Sequence, residues 1–567
     1  MYKNNIFWFA LFSLILVIFL ALSFSRIHQI VPADDLWDLL SAKSLYEKGV
    51  PELYCATDKK PFFQNPYLYL YALAWMFGAF GANEIAARLV GIISGLISIF
   101  LVFLIVRISS KGSENSRLRL AIIVSGLYAL APTTIQGTAI INIDNTLLVP
   151  AILFIFWAVI RFFQAKDFIR LCLVCFTVAL SFWLRLSTPL IIILTLILYS
   201  LISRNSLKIK IAFIGTLIFA FLFFVASWFF YCKIKGAPFL GPFIYTFGTF
   251  ARSHSHLTIP RILQNSVYLT LWVGFLPLLT VTAIILKKHK FLLRDIQMSP
   301  HFILFCALFL MGGYTTLGGV GFGYPRYHSP AIPLLYIGAA LFLSKEDFKN
   351  FNLKRIAGLF LVSFLIHFFI LGDLLYIFRY VLRDYLAFRS PSSWAIIQHA
   401  IFRIIFFCLA YTMLFLVGLR LLSRGAIIAL LVIFSAASSL SMTFLQSVAK
   451  YNTGYDYGER GMLETAQYIR NKMPPDGIVV GPEGLIYYMR LPNSPYLRGS
   501  FWSNIDRIER SLRDPRVSAF VYSIPTNEVS QIQSIREDVS VQKLLSKNFK
   551  YRKIGTYDIW VRSYERR

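Results

Sequence analysis

The sequence predicts a polytopic α-helical membrane protein with about thirteen transmembrane helices and a small C-terminal extracytoplasmic α/β domain. Three observations carry the first part of that expectation. The 567 residues are 57% hydrophobic and only 15% charged, where a soluble protein of this size carries nearer a quarter charged residues. Apolar runs long enough to cross a bilayer recur along most of the chain. Aromatic residues make up 16%, with 53 Phe and 30 Tyr, which suits lipid-facing helices with interfacial belts.

The spans are expected at roughly 6–25, 85–107, 117–136, 145–163, 168–186, 189–203, 208–232, 264–287, 301–320, 329–345, 356–380, 400–422 and 425–448. The first, Ile6 to Ser25, contains no charged residue and is followed by SFSRIHQI, which has no small-x-small cleavage site. It reads as a retained signal anchor. The apolar stretch 66–80, NPYLYLYALAWMFGA, is too short to span comfortably and reads as an interfacial helix.

Loop charges orient the chain. VRISSKGSENSRLR, RFFQAKDFIR, SRNSLKIK, LKKHKFLLR, SKEDFKNFNLKR and LRLLSRG follow the even-numbered spans and are rich in Lys and Arg. The opposite loops APTTIQGTAIINID and GGYTTLGGVGFGYPRYH are nearly free of them; RYVLRDYLAFRS is the exception. By the positive-inside rule the N-terminus is cytoplasmic and the C-terminus lies outside. The net charge of +28 is thereby explained by orientation in a plasma membrane, such as a bacterial inner membrane, and nucleic acid is not expected as a partner.

Residues 1–448 form the expected transmembrane domain, including an outer loop over 26–84. From 449 to 567 charges, Pro and Gly rise and long apolar runs stop. There GERGMLETAQYIRNKM reads as an amphipathic helix, and GIVVGPEG, VSAFVYSIP and YDIWVRS as strands. Of six Cys, Cys172 and Cys175 make a CxxC inside an apolar segment without a second ligand pair, so no zinc site is expected. Cys55 and Cys232 fall on one side, and nothing in the sequence requires that they pair.

The unusual polar groups gather on the outer side. Asp34 and Asp35 follow the first span. Glu84 and Arg88 open the second. Asp144 opens the fourth and Arg185 ends the fifth. Arg326, Tyr327 and His328 open the tenth, and His254 and His256 lie in an outer loop. Each has a plain alternative. Asp144 suits a helix cap, Arg185 a snorkelling side chain, Arg326 an interfacial anchor, and the histidines and the Asp pair solvated loops. Ionisable groups are costly at the centre of a lipid-facing helix, roughly 3 kcal/mol or more, and these collect at one rim. Carboxylates there can accept a proton from a hydroxyl, and arginines can hold a phosphate through two parallel hydrogen bonds.

These residues stand in motifs that resemble a known family. VPADDLWDLLSAKSLYEKG is similar to an acidic pair in a first outer loop. FFQNPYLYLYAL stands in place of a K/H-PP-L-Y-Y-like stretch, with Gln64-Asn65-Pro66 departing from it. GANEIAARLVGIISGL, NIDNTLLVPAILF and PRYHSPAIPLL follow in order. Together they resemble the GT-C glycosyltransferases, the integral membrane enzymes that use polyprenyl-linked sugars. The nearest branch holds the protein O-mannosyltransferases, the lipid A aminoarabinose transferases and the RgtA/B/C/D-like lipopolysaccharide-core enzymes.

The resemblance implies transfer of a sugar from a polyprenyl-phosphate donor to a hydroxyl of a lipid, glycan or protein acceptor, with inversion at the anomeric carbon. It implies Asp34 as general base, with Asp35 and Asp144 beside it in the catalytic group. It implies Arg326, Arg88, Arg185 and Tyr327 at the donor phosphate. Glu84, Asn65, Tyr67, His254, His256 and His328 are candidates for the substrate pocket. A divalent cation, Mg²⁺ or Mn²⁺, is left open; if one binds, Asp34, Asp35 and Asp144 are its candidate ligands. The alternative function is a polyprenyl-linked substrate transporter or flippase. That class favours midplane charges and internal repeats, and the sequence has neither.

Overall fold

In a computed structural model the described residues are 2–28, 31, 33–52, 62, 64–203, 205–252, 300–316, 326–343, 353–376, 424–447, 461–474, 476–489, 504–523, 537–555 and 557–563. The expected spans 264–287 and 400–422, and with them His254 and His256, lie outside these residues. The chain divides into two compact units, one of residues 1–28 and 63–454 and one of residues 29–62 and 455–567.

The first unit is helical. Its described helices are α1 (Tyr2–Phe24), α3 (Leu68–Phe80), α4 (Glu84–Ser109), α5 (Glu114–Ala129), α6 (Pro132–Ala139), α7 (Leu148–Ala165), α8 (Phe168–Leu184), α9 (Ser187–Ile202), α10 (Leu207–Lys235), α11 (Gly241–Arg252), α12 (Pro300–Thr316), α13 (Ile332–Leu343), α14 (Leu353–Tyr376) and α15 (Arg424–Ser447). Polar caps set several starts: Asn83 accepts from the Ala86 amide and Asp167 from the Arg170 amide, each meeting a donor that the first turn leaves unpaired.

Among the described residues four helices are long and apolar enough to cross a membrane by themselves, or five if the bent pair α5–α6 is one span. Chains with such segments are integral to the membrane. α10 shows the pattern: Phe213, Leu217, Ala220, Phe224, Trp228 and Cys232 form one buried stripe against α8, whereas Leu222, Phe223 and Phe230 are exposed apolar side chains suited to lipid contact. Cys232 is buried with a free thiol, and Cys55 lies outside the described residues.

The third expected span, 117–136, falls on two helices, α5 and α6, bent by 52°. Pro132 takes the first turn of α6, where its missing N–H costs nothing, and it cannot continue α5 because its ring excludes the helical bond to the preceding turn. All eight residues of α6 are buried.

The second unit contains α2 (Ala33–Lys48) from the first loop and, from the C-terminal segment, α16 (Met462–Lys472), β1 (Ile478–Val480), α17 (Glu483–Tyr488), α18 (Ile505–Arg513), β2 (Val517–Ser523), α19 (Val539–Asn548), β3 (Phe549–Ile554) and β4 (Tyr557–Arg562). The sheet order is β1-β2-β4-β3. β1 pairs parallel with β2, and the other pairs are antiparallel. Alternation along β2 sends Phe520 and Tyr522 into one core with Ile508, Leu512 and Trp560, and Ala519 and Val521 into another with Ile469, Leu485 and Ile559.

β3 was not expected. Its sequence FKYRKI is buried only at its ends, Phe549 and Ile554, and a charged edge strand of this kind resists unwanted pairing. α2 buries Leu36, Leu39 and Leu45 and packs on α17. The Val31 amide donates to the Tyr488 hydroxyl at 2.8 Å. The first-loop helix is thus built into the same unit as the C-terminal sheet.

Candidate active site

In the helical unit, chain segments from four places meet. The loop between α6 and α7 brings Asp144, the turn between α8 and α9 brings Arg185, the end of α12 brings Tyr314, and a short 3₁₀ turn, Arg326–His328, brings Tyr327. Asp144 does not cap α7, which begins at Leu148 after Leu147. Its carboxylate pairs with Nη1 of Arg185. The two side chains are 2% and 15% exposed, a setting in which an ion pair is weakly screened.

Arg185 is held further. Its Nε donates to Ser187 Oγ at 2.9 Å, and its guanidinium lies 5.4 Å from the centroid of the Tyr327 ring, within cation–π range. Tyr327 stacks on Tyr314 at 5.9 Å, and Tyr314 hydrogen-bonds to Thr188 through its hydroxyl. The loop that carries Asp144 is braced by Asn142, whose Oδ1 accepts from the Asp144 amide at 3.0 Å and whose carbonyl accepts from Thr146 Oγ1 at 2.8 Å. Ser329 Oγ donates to Asn145 Oδ1 at 3.0 Å. A guanidinium has five N–H donors. Among the described residues no hydrogen bond engages Nη2 of Arg185, so the pair presents a fixed, partly exposed donor group to an anion.

The other expected residues fall as follows. Asp35 is buried in the first turn of α2 with Asp38 a turn further on; Asp34 precedes it, and Arg326 opens the 3₁₀ turn, both placements being of the backbone. Tyr67 is buried in an aromatic cluster, edge-on to Trp228 and Tyr231. Asn65 sits in the bend before α3, and Glu84 in the first turn of α4. His328 is buried edge-on to Tyr314 at 6.5 Å. Arg88 is 1% exposed and donates to two backbone carbonyls, Ala139 at 2.8 Å and Ile27 at 2.6 Å. Sequence reasoning missed Tyr314, Thr188, Asn142 and a second buried guanidinium, Arg26. Arg26 binds Gln136 Oε1 and the Thr443 carbonyl, and burial lowers its pKa to about 10, so it stays charged at neutral pH.

Among the described residues no three metal-ligating side chains gather. Of the carboxylates considered for a divalent cation, Asp144 is already neutralised by a guanidinium, which makes it a poor ligand for a hard cation.

Comparison with known proteins bears on the fold. Residues 64–229 match the family model described as dolichyl-phosphate-mannose-protein mannosyltransferase. No curated protein matches the chain significantly. The crystal structure of ArnT from Cupriavidus metallidurans bound to undecaprenyl phosphate superposes with a TM-score of 0.61 at 14% identity, covering 98% of this chain and 97% of that one. The apo state of the same protein gives 0.60 at 15% identity, covering 97% of each chain. The match runs end to end, through the helical unit and the C-terminal sheet, and shows that this chain shares the fold of that protein.

Proposed function

We propose that the protein transfers a sugar from a polyprenyl-phosphate-linked donor to a hydroxyl of a glycolipid, lipopolysaccharide or protein acceptor on the extracytoplasmic face of the membrane. The observation that carries the reading is the Asp144–Arg185–Tyr327 group, a braced cation in a chain whose fold matches a protein crystallised with undecaprenyl phosphate.

The chemistry follows from the residue types. Asp34 takes the proton of the acceptor hydroxyl, and that oxygen forms a bond to the anomeric carbon as the carbon–oxygen bond to the donor phosphate breaks. Polyprenyl phosphate leaves with the bonding pair and with more negative charge than it carried as a diester. Arg185 and Arg326 neutralise that charge. Donors fixed before the reaction stabilise developing charge without reorganising, and such preorganisation is usually the largest catalytic effect. Asp144 holds the Arg185 fork in place, and the Tyr327 ring limits its swing.

Two outcomes are expected. Arg326→Lys keeps the charge but loses the fork, so the donor KM rises while the acceptor KM changes little; an unchanged donor KM in Arg326→Ala removes that residue from the phosphate site. Protease added to intact spheroplasts cleaves within residues 460–567; full protection of that segment contradicts an extracytoplasmic C-terminal domain.

A further inference from the structure

Asp144 stands five residues beyond α6, a buried helix that carries no charged side chain of its own. What holds α6 is supplied by its neighbours. Nε of Arg88, from α4, donates to the carbonyl of Ala139, the last residue of α6, and its Nη1 reaches the carbonyl of Ile27. The last carbonyls of a helix lack partners within it, and a cation there also meets the negative end of the helix dipole. Arg26 grips the same helix from another side, bonding the Gln136 side chain and the Thr443 carbonyl of α15.

The contact between α4 and α6 is close. A Cβ placed on Gly91 would lie 2.5 Å from the Thr138 carbonyl oxygen, and one on Gly95 would lie 3.2 Å from Thr138 Cγ2 and 2.8 Å from the Phe19 ring. Gly91 and Gly95 have the small-xxx-small spacing that lets helix backbones approach within a membrane. Any side chain at Gly91 must push backbone, not a flexible side chain. α6 is therefore seated between a glycine face and two guanidinium forks, and the chain leaves that seat directly into the loop that carries Asn142 and Asp144.

We propose that Arg88 is a positioning residue: it seats α6, with Arg26 and the Gly91 face, and through α6 it sets the Asp144–Arg185 pair, rather than binding the donor phosphate itself. The inference rests on the glycosyltransferase reading for its kinetic consequence but not for its structural one.

The test uses the full-length purified protein and two variants, Arg88→Lys, which cannot bridge both carbonyls, and Gly91→Ala, which touches neither Arg88's bonds nor any ligand. Backbone hydrogen exchange over residues 140–147 is expected to quicken in both. Unchanged exchange there overturns the proposal whether or not any transfer activity is found.

In the transfer assay both variants should lose about ten- to hundred-fold in kcat/KM, since a displacement near 1 Å costs on that order, with the donor KM rising in both because each loosens the Arg185 fork. Arg88→Lys should also add little to the loss already caused by Asp144→Asn, because residues acting through one another are not additive. A raised donor KM in Arg88→Lys with a silent Gly91→Ala makes Arg88 a phosphate ligand and overturns the proposal. If Arg88→Lys does not fold, Gly91→Ala alone decides. A wild type that transfers no sugar defeats the functional reading, and the exchange result then still decides the positioning.

Discussion

Asp34→Asn is expected to lower kcat for sugar transfer by about 10²–10⁴-fold, the usual contribution of a general base. The substitution keeps the shape of the side chain and removes its ability to take a proton. It should leave the lipid-donor affinity nearly unchanged, because the proposed phosphate contacts come from Arg185 and Arg326. Asp35→Asn is expected to cost less activity and more stability. Asp35 is 1% exposed, so its loss is felt by the packing of α2 before it is felt by the substrate. The comparison is made on purified, detergent-solubilised variants at matched thermal stability. A near wild-type kcat for Asp34→Asn moves the base to Asp35 or Asp144.

Asp144→Asn has a different signature. It leaves Arg185 with a charge, little exposure and no carboxylate, and removing one member of a buried pair typically destabilises by about 3–5 kcal/mol. The variant should therefore unfold at clearly lower temperature and also bind donor poorly, because the Arg185 fork is no longer held. Replacing both, as in Asp144→Leu with Arg185→Met, should recover much of the stability and none of the activity. A double variant that regains activity shows the pair to be structural only. Thermal unfolding and donor KM measured side by side make the distinction.

The contrast between these residues shows what the sequence made legible. α1, α4, α7, α8, α9 and α10 fall close to their expected ranges because long uninterrupted apolar runs leave the backbone no other way to pair its polar groups in lipid. The break at Pro132 was hidden because APTTIQ reads equally well as the frayed end of a span. β3 was hidden because FKYRKI has the charge of a loop; its strand character comes from its pairing with β4, a contact no local pattern reports. Asp144 and Arg185 were each legible as rim charges, yet their pairing spans 41 residues and depends on how α7 and α8 are laid together. Arg88 was legible as a motif residue, but its direction was not: the sequence shows a cation near the rim, and only the fold shows it turned onto the carbonyl of Ala139. Arg26 follows the anchor helix in sequence, and its partners Gln136 and Thr443 lie 110 and 417 residues away.

In the proposed reaction the donor is cleaved, not carried. The most direct measurement reconstitutes the purified protein in liposomes with a radiolabelled polyprenyl-phosphate-linked sugar and a hydroxyl acceptor, and follows free polyprenyl phosphate and labelled acceptor together. Both are expected to appear at equal rates and to vanish in Asp34→Asn. Movement of intact donor between leaflets, with neither product formed across a panel of sugars and acceptors, would contradict it and leave a transporter in its place.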